Sequence, residues 1–245
     1  MRTILFALIA FFFASCGCGG QNRNGLLRVG VDVSWAPLDF DEMQPYVNGY
    51  TEDVLREISR YSGMEFVKIN ASWDNLLEGL QRGTYDAVLS SLPPYPYNQA
   101  KYDFSQDYLE LGPVLVTASN ANYTDLQHLS GELVGVISGD PAVLVVQKYP
   151  DVIVRNYNSY PEALSAVADG EIEGAVLDRL PATSYVRDLY AGKLKIASAP
   201  LTGLGLHLVA PKGKAVYLIR TFDKGLAQMK KKKKLNSLLS KWRLD

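Results

Sequence analysis

Polar side chains that close short apolar runs are the places where this chain could do chemistry. Asp32 follows Val29, Gly30 and Val31. Ser90 and Ser91 follow Val88 and Leu89. Ser138, Gly139 and Asp140 follow the run at 133–137, and Asp178 follows Ala175, Val176 and Leu177. Carboxylates and hydroxyls held there can hydrogen-bond a small polar ligand, because ligands of open α/β sheets bind beyond the carboxyl ends of the strands. The chain has no G-x-S-x-G elbow, no P-loop and no H-E-x-x-H helix. His128 and His207 lack metal-ligand spacing. The two cysteines, Cys16 and Cys18, stand close together near the N-terminus, which leaves the body without a disulfide framework or a Cys-based metal site. No catalytic motif, cofactor site or metal site is expected from these residues.

The elements that must position these groups alternate. Strands are expected at 27–31, 65–69, 85–89, 114–116, 133–137, 152–154, 174–178 and 206–209. Between them, helical spacing of apolar residues is found at 53–61, 75–80, 141–148, 160–169 and 215–229. This rhythm predicts an α/β fold with mainly parallel sheets. It restarts after a connection near 112, and two units of about 90 residues fit better than one oversized sheet. Two facing sets of strand ends make a cleft, and hinge closure would bury a ligand between them.

Composition adds limits. The net charge of −1 gives no basic excess and hence no expectation of a nucleic-acid partner. Arg2 and the apolar run at 4–13 read as a signal segment, too short to span a bilayer of about 20 helical residues. Phe13, Ala14, Ser15 and Cys16 look like a lipoprotein cleavage site. Residues 1–15 are expected to be the signal peptide, Cys16 the lipidated first residue, and 16–25 a flexible tether. Five consecutive lysines at 230–234 read as a solvated turn between two helical stretches, with contact to an anionic lipid surface as the alternative for an anchored protein.

Five stretches carry a resemblance to a known family. They are LRVGVD at 27–32 with Pro37 and Phe40; Gly49 and Tyr50; SWDNL at 72–76 with Leu80 and Gly83; YDAV at 85–88; and YDFS at 102–105 followed by Tyr108. Gly135 with Val136, Ala163 with Leu164, AVLD at 175–178, and Lys241 with Trp242 extend it. The chain resembles the polar-amino-acid family of periplasmic solute-binding proteins, the binding components of ABC importers. The resemblance implies a type II two-lobe fold with two hinge crossovers. Lobe one would comprise 26–112 and 205–245, and lobe two 113–204. It implies an amino acid or related amine as ligand, an ABC permease as partner, and an extracytoplasmic, membrane-anchored location through the N-terminal lipid.

The resemblance also implies roles. Asp178 would take the ligand's ammonium by a charge-assisted hydrogen bond. Trp35 and Trp73 would form apolar walls, where indoles stack or hold cations. Asp32, Ser90, Ser91, Asn98 and Asp140 complete the expected site. Asn98 stands where relatives that bind α-amino acids place a carboxylate-clamping arginine. Pro93 and Pro141 stand where a hydroxyl residue also offers its backbone N–H, which proline lacks. Lys101 is a rival source of positive charge. Two other readings share the scaffold: a cyclohexadienyl-dehydratase-like enzyme and a ligand sensor. The chain stops at Asp245, so a C-terminal transglycosylase domain is not expected. For the anchor, Cys16→Ala should yield an unprocessed or soluble protein. Unchanged mass and membrane partition in that variant would rule the lipidated cysteine out.

Overall fold

The computed structural model describes residues 26–36, 38 and 40–245. The signal segment, Cys16 and the tether lie outside the described residues. The first sheet collects β1 (Leu26–Val31), β2 (Glu65–Asn70), β3 (Ala87–Ser90), β4 (Tyr102–Phe104) and β5 (Leu109–Glu110). The second holds β6 (Val114–Ala118), β7 (Leu133–Ile137), β8 (Ile153–Tyr157), β9 (Gly174–Leu177) and β10 (Leu194–Ile196). The chain then returns to the first sheet as β11 (Gly205–Pro211). The strand orders are β2-β1-β3-β11-β4, with β5 also on β11, and β10-β6-β9-β7-β8.

Three adjacent strands on one side of each sheet are parallel: β2-β1-β3 and β8-β7-β9. β6, β10 and β11 pair antiparallel with their neighbours. The expectation of mainly parallel sheets therefore holds for these strands and not beyond them. The strands that follow each crossing enter their sheet from the opposite end, which reverses their direction.

Alternate side chains of the strands face different cores, as a period of two requires. Ala87 and Leu89 join one cluster and Val88 another. On β9, Ala175 and Leu177 separate from Val176 in the same way. Each sheet is thus covered on both faces, which explains the unbroken apolar runs. In the first, α1 (Gln44–Ser62), α7 (Val216–Lys231) and α8 (Lys234–Lys241) cover one face, and α2 (Trp73–Arg82) the other. The short α3 (Pro96–Gln99) sits on the loop after β3. In the second sheet, α5 (Tyr160–Ala168) and α6 (Arg179–Asp188) face α4 (Val143–Val146) across the strands.

Three differences from the sequence reading have physical causes. The first helix begins at Gln44 rather than Asp53, and Gly49 and Tyr50 lie inside it. Gly49 belongs there because the Trp242 ring occupies the place of its side chain; an added Cβ would lie 2.2 Å from that ring. The helix expected at 141–148 shrinks to Val143–Val146, held in a chain of tight turns. Helix α6 was not read from the sequence at all, because Pro181 and a mixed polar pattern hide its buried Leu180, Ala182 and Thr183.

The two crossing segments are joined to each other. Leu111 and Gly112 both donate to the Leu204 carbonyl, at 2.8 and 3.1 Å, and Leu201 donates to Pro113 at 2.8 Å. Beside them His207 is buried on β11, with Nδ1 2.8 Å from Asp107 Oδ1 and Nε2 2.8 Å from the Leu92 carbonyl oxygen. Asp107 and Leu92 thus hold the ring from both sides. It ties the loop after β3 to the returning strand. His207→Ala should cost more than about 2 kcal/mol, because it strands a carbonyl and a carboxylate without their donor. Denaturant unfolding measures this, and a loss below about 0.5 kcal/mol, the size of an ordinary surface change, would contradict the bridging role.

Candidate ligand-binding cleft

Asp32 leaves the end of β1 and builds the loop that follows. Its Oδ1 accepts from the Ser34 backbone N–H at 2.9 Å and from the Ser34 hydroxyl at 2.6 Å. Its carbonyl accepts from Trp35 N–H at 3.0 Å. Trp35 sits at φ 61°, a left-handed backbone rare for a large residue. Its ring is buried in the first core, and its Nε1 donates to Asn48 Oδ1 of α1 at 2.7 Å. Asn48 and Gln44 in turn donate to the Val33 carbonyl. The loop is therefore fastened to the head of α1.

Trp73 opens α2, half-buried against the opposite core. At the end of β3, Ser90 and Ser91 are buried, and the Ser90 hydroxyl accepts from Leu92 N–H at 3.0 Å. Asp32, Trp35, Trp73, Ser90 and Ser91 line one crevice together with Ala36, Leu76 and Leu89. The crevice has no interior room for even a water molecule, so this wall alone does not enclose a ligand.

Asn98 lies outside that lining. It is buried on α3, where its Nδ2 donates to the Pro93 carbonyl at 2.8 Å and closes the proline-rich loop. Lys101 is exposed and borders β4, and its carbonyl accepts from Lys212 N–H. Register puts it at the far edge of the sheet: Tyr102 lies opposite Pro211, whereas Ser90 lies opposite His207. Four residues of strand separate the two levels, or about 13 Å.

The second sheet offers carboxylates. β7, β8 and β9 are parallel neighbours, so Ser138, Tyr160 and Asp178 emerge at one edge. Asp140 Oδ1 accepts from Ala142 N–H at 2.7 Å. Asp178 is exposed to solvent, yet the protein atoms around it thin its hydration. That desolvation, and next the charge of Asp140, push its carboxyl up to about 6. Neither carboxylate has an ion-pair partner within 4.0 Å among the described residues. Arg179, the cation next to Asp178 in sequence, turns instead to the Glu110 carbonyl at 3.1 Å and its carboxylate at 3.5 Å.

Sequence reasoning missed two tyrosines here. Tyr160 stacks on Tyr185, with ring centroids 6.1 Å apart and planes 10° off parallel. Burial, then Asp178 and Asp140, hold the Tyr160 hydroxyl well above its usual pKa, so it keeps its proton and remains a donor. A signal for both was present. Tyr160 follows β8 as Asp178 follows β9, and Tyr185 stands two helical turns after Asp178, on the same helix face.

A sequence model for bacterial extracellular solute-binding proteins, family 3, matches residues 27–245. The virulence sensor protein BvgS of Bordetella bronchiseptica is 28% identical over 222 residues; these cover 89% of this chain, which spans 18% of the length of that relative. The L-cystine-binding protein TcyJ of Escherichia coli is 26% identical over 226 residues, covering 90% of this chain and 83% of that one. Among solved structures, the unliganded, open L-cystine solute receptor of Neisseria gonorrhoeae superposes with a TM-score of 0.69 at 20% identity, covering 89% and 92% of the two chains. With that two-lobe type II architecture and a family match over nearly its whole length, the chain belongs to the bacterial extracellular solute-binding proteins of family 3.

Proposed function

We propose that this protein is an extracytoplasmic lipoprotein that captures an amino-acid-like amine by closing its two lobes, and that it serves ABC-type import. The observation that carries this reading is the division of chemistry between the walls. One lobe offers two indoles and two serines in a crevice too small by itself; the other offers Asp140 and Asp178 with no cation beside them. An ammonium placed between them would meet carboxylates on one side and aromatic faces on the other. Cys16 would hold the body at the membrane.

The ligand's own carboxylate is poorly provided for. Pro93 and Pro141 give no N–H, Asn98 closes its own loop, and Lys101 stands at the far edge of the sheet. A desolvated carboxylate without partners is costly. Amino-acid derivatives, short peptides and organic amines should therefore compete well with free amino acids. A sensor role is a second reading, favoured by the similarity to BvgS; a transport assay and a signalling assay in cells separate the two.

Three measurements test this reading. Calorimetry across amino acids and their amidated or decarboxylated analogues should find the analogues at least as tight. Binding of a free amino acid that weakens tenfold or more on amidation, about 1.4 kcal/mol, would overturn the ligand class. A ligand found this way should raise the melting temperature and compact the protein in solution scattering; stabilisation without compaction would contradict closure.

The third concerns Asp178. Its folded-state pKa is raised above the ordinary 3.8. The stability linked to this group is thus fully present below about pH 4 and is lost as pH rises through about 6. Asp178→Asn should therefore melt higher than the parent near neutral pH in the absence of ligand, while binding the amine at least tenfold more weakly. In the parent, amine affinity should fall about fivefold between pH 6 and 5 as the carboxylate takes up its proton. A pH-independent affinity would remove Asp178 from the site.

A further inference from the structure

Charge in this chain is unevenly divided. Residues 212–245 carry eleven lysines and arginines against two acids, while the rest of the chain carries fourteen against twenty-four. The fold gathers much of the excess on one surface. Lys230 and Lys231 end α7, Lys232 caps it, and Lys233, at φ 55°, turns the chain into α8. All four are exposed. Arg220 and Lys224, also exposed, fall on the same face of α7 as Lys231 at helical spacing. The one acid of α7, Asp223, turns inward to accept from Gln106 N–H at 2.8 Å. Lys234 is set apart, half-buried and 3.7 Å from Glu57. One or two cations at a helix C-terminus complement its dipole; four in succession, left without carboxylate partners among the described residues, exceed that need.

The position of the patch suggests what it meets. Lys232 Nζ lies 4.7 Å from the centre of the Tyr61 ring, at the tail of α1. Four residues on, Glu65 starts β2 and pairs with Leu26, the first residue of β1. The lysines therefore share an end of the lobe with the point where residues 16–25 join the fold. Ten residues reach at most about 35 Å. On the reading that Cys16 is lipidated, this end is the one held near the bilayer. The crevice lies at the other end, where Trp35 meets the head of α1 through Asn48. No described helix is long and apolar enough to enter the membrane, so contact would be electrostatic and peripheral.

We propose that Lys230, Lys231, Lys232 and Lys233, extended by Lys224 and Arg220, form a docking surface for anionic lipid headgroups, and that it lays the tethered end of the first lobe on the membrane with the cleft facing away. Clusters of this size bind anionic bilayers, each cation near the surface adding to the attraction. The contact weakens with salt as the Debye length falls from about 10 Å at 0.1 M to about 3 Å at 1 M.

The test uses the full chain purified from the membranes of expressing cells. Its partition is compared between phosphatidylcholine vesicles and vesicles rich in phosphatidylglycerol. Partition onto neutral vesicles reads the anchor, and the excess onto anionic vesicles reads the lysines, so the two readings fail separately. The excess should be at least tenfold at about 0.1 M salt and vanish near 1 M. It should be lost when Lys230→Gln, Lys231→Gln, Lys232→Gln and Lys233→Asn are combined, asparagine being chosen to tolerate the left-handed backbone. Arginine at the first three positions should retain it, and an unchanged melting temperature shows that both variants are folded. An excess that survives loss of the lysines, or no excess in the parent, overturns the proposal. Tight binding of an acidic polypeptide without preference for anionic vesicles would overturn it in favour of a protein partner.

Discussion

Both sheets are buried on both faces, and this constraint decides where the molecule can hold polar chemistry. Most side chains of the inner strands β3, β6, β7, β9 and β11 face one apolar cluster or another, so a carboxylate placed there would be desolvated without a partner. Polar groups are pushed to the strand ends, where loops and helix N-termini offer hydrogen bonds. Asp32 uses one such place to build a turn, Asp140 another to cap one. Asp178 is the exception: no described donor takes its carboxylate, and its raised pKa records the cost of leaving it so. Groups held in costly states of this kind concentrate at functional sites.

The two walls are prepared to different degrees. Trp35 is fixed by its core contacts and by Asn48, so its side chain keeps little freedom. Arg179 is also engaged, at Glu110 near the crossing, which keeps it from neutralising Asp178. Between the two sheets run two segments hydrogen-bonded to each other at Leu204 and Pro113.

The longer strands and most helices are legible from period and propensity, because a strand buried on two sides reads as a continuous apolar run, whereas β4, β5 and β10, of two or three residues, leave no such run. The polar groups at strand ends followed from the same logic. What escaped was set by contacts distant in sequence. Gly49 reads as lying ahead of the first helix until Trp242, almost two hundred residues later, occupies its open side. The direction of β11 depends on where the chain re-enters, which no local pattern records. Asn98 and Lys101 were judged by position along the chain. Their use depends on a bond to Pro93 and on a register with β11, both tertiary facts. The paired Tyr160 and Tyr185 come from two helices, and their approach needs both to be docked on one sheet.

The placement of β11 also governs the order in which the molecule can be assembled. A chain emerging N-terminus first presents Val88 and Leu89 with one edge bonded to β1 and the other open until residues 205–211 appear. The second sheet, drawn from one continuous stretch of 114–196, has no such wait and can form while the first remains unfinished. An apolar strand with an open edge is a template for pairing with another molecule. The interval between β3 and β11 is thus a window of vulnerability to aggregation, and non-local pairing of this kind slows folding. Synthesis and quality control would meet this protein as a finished half beside an unsealed one, closed only by the last sixth of its chain.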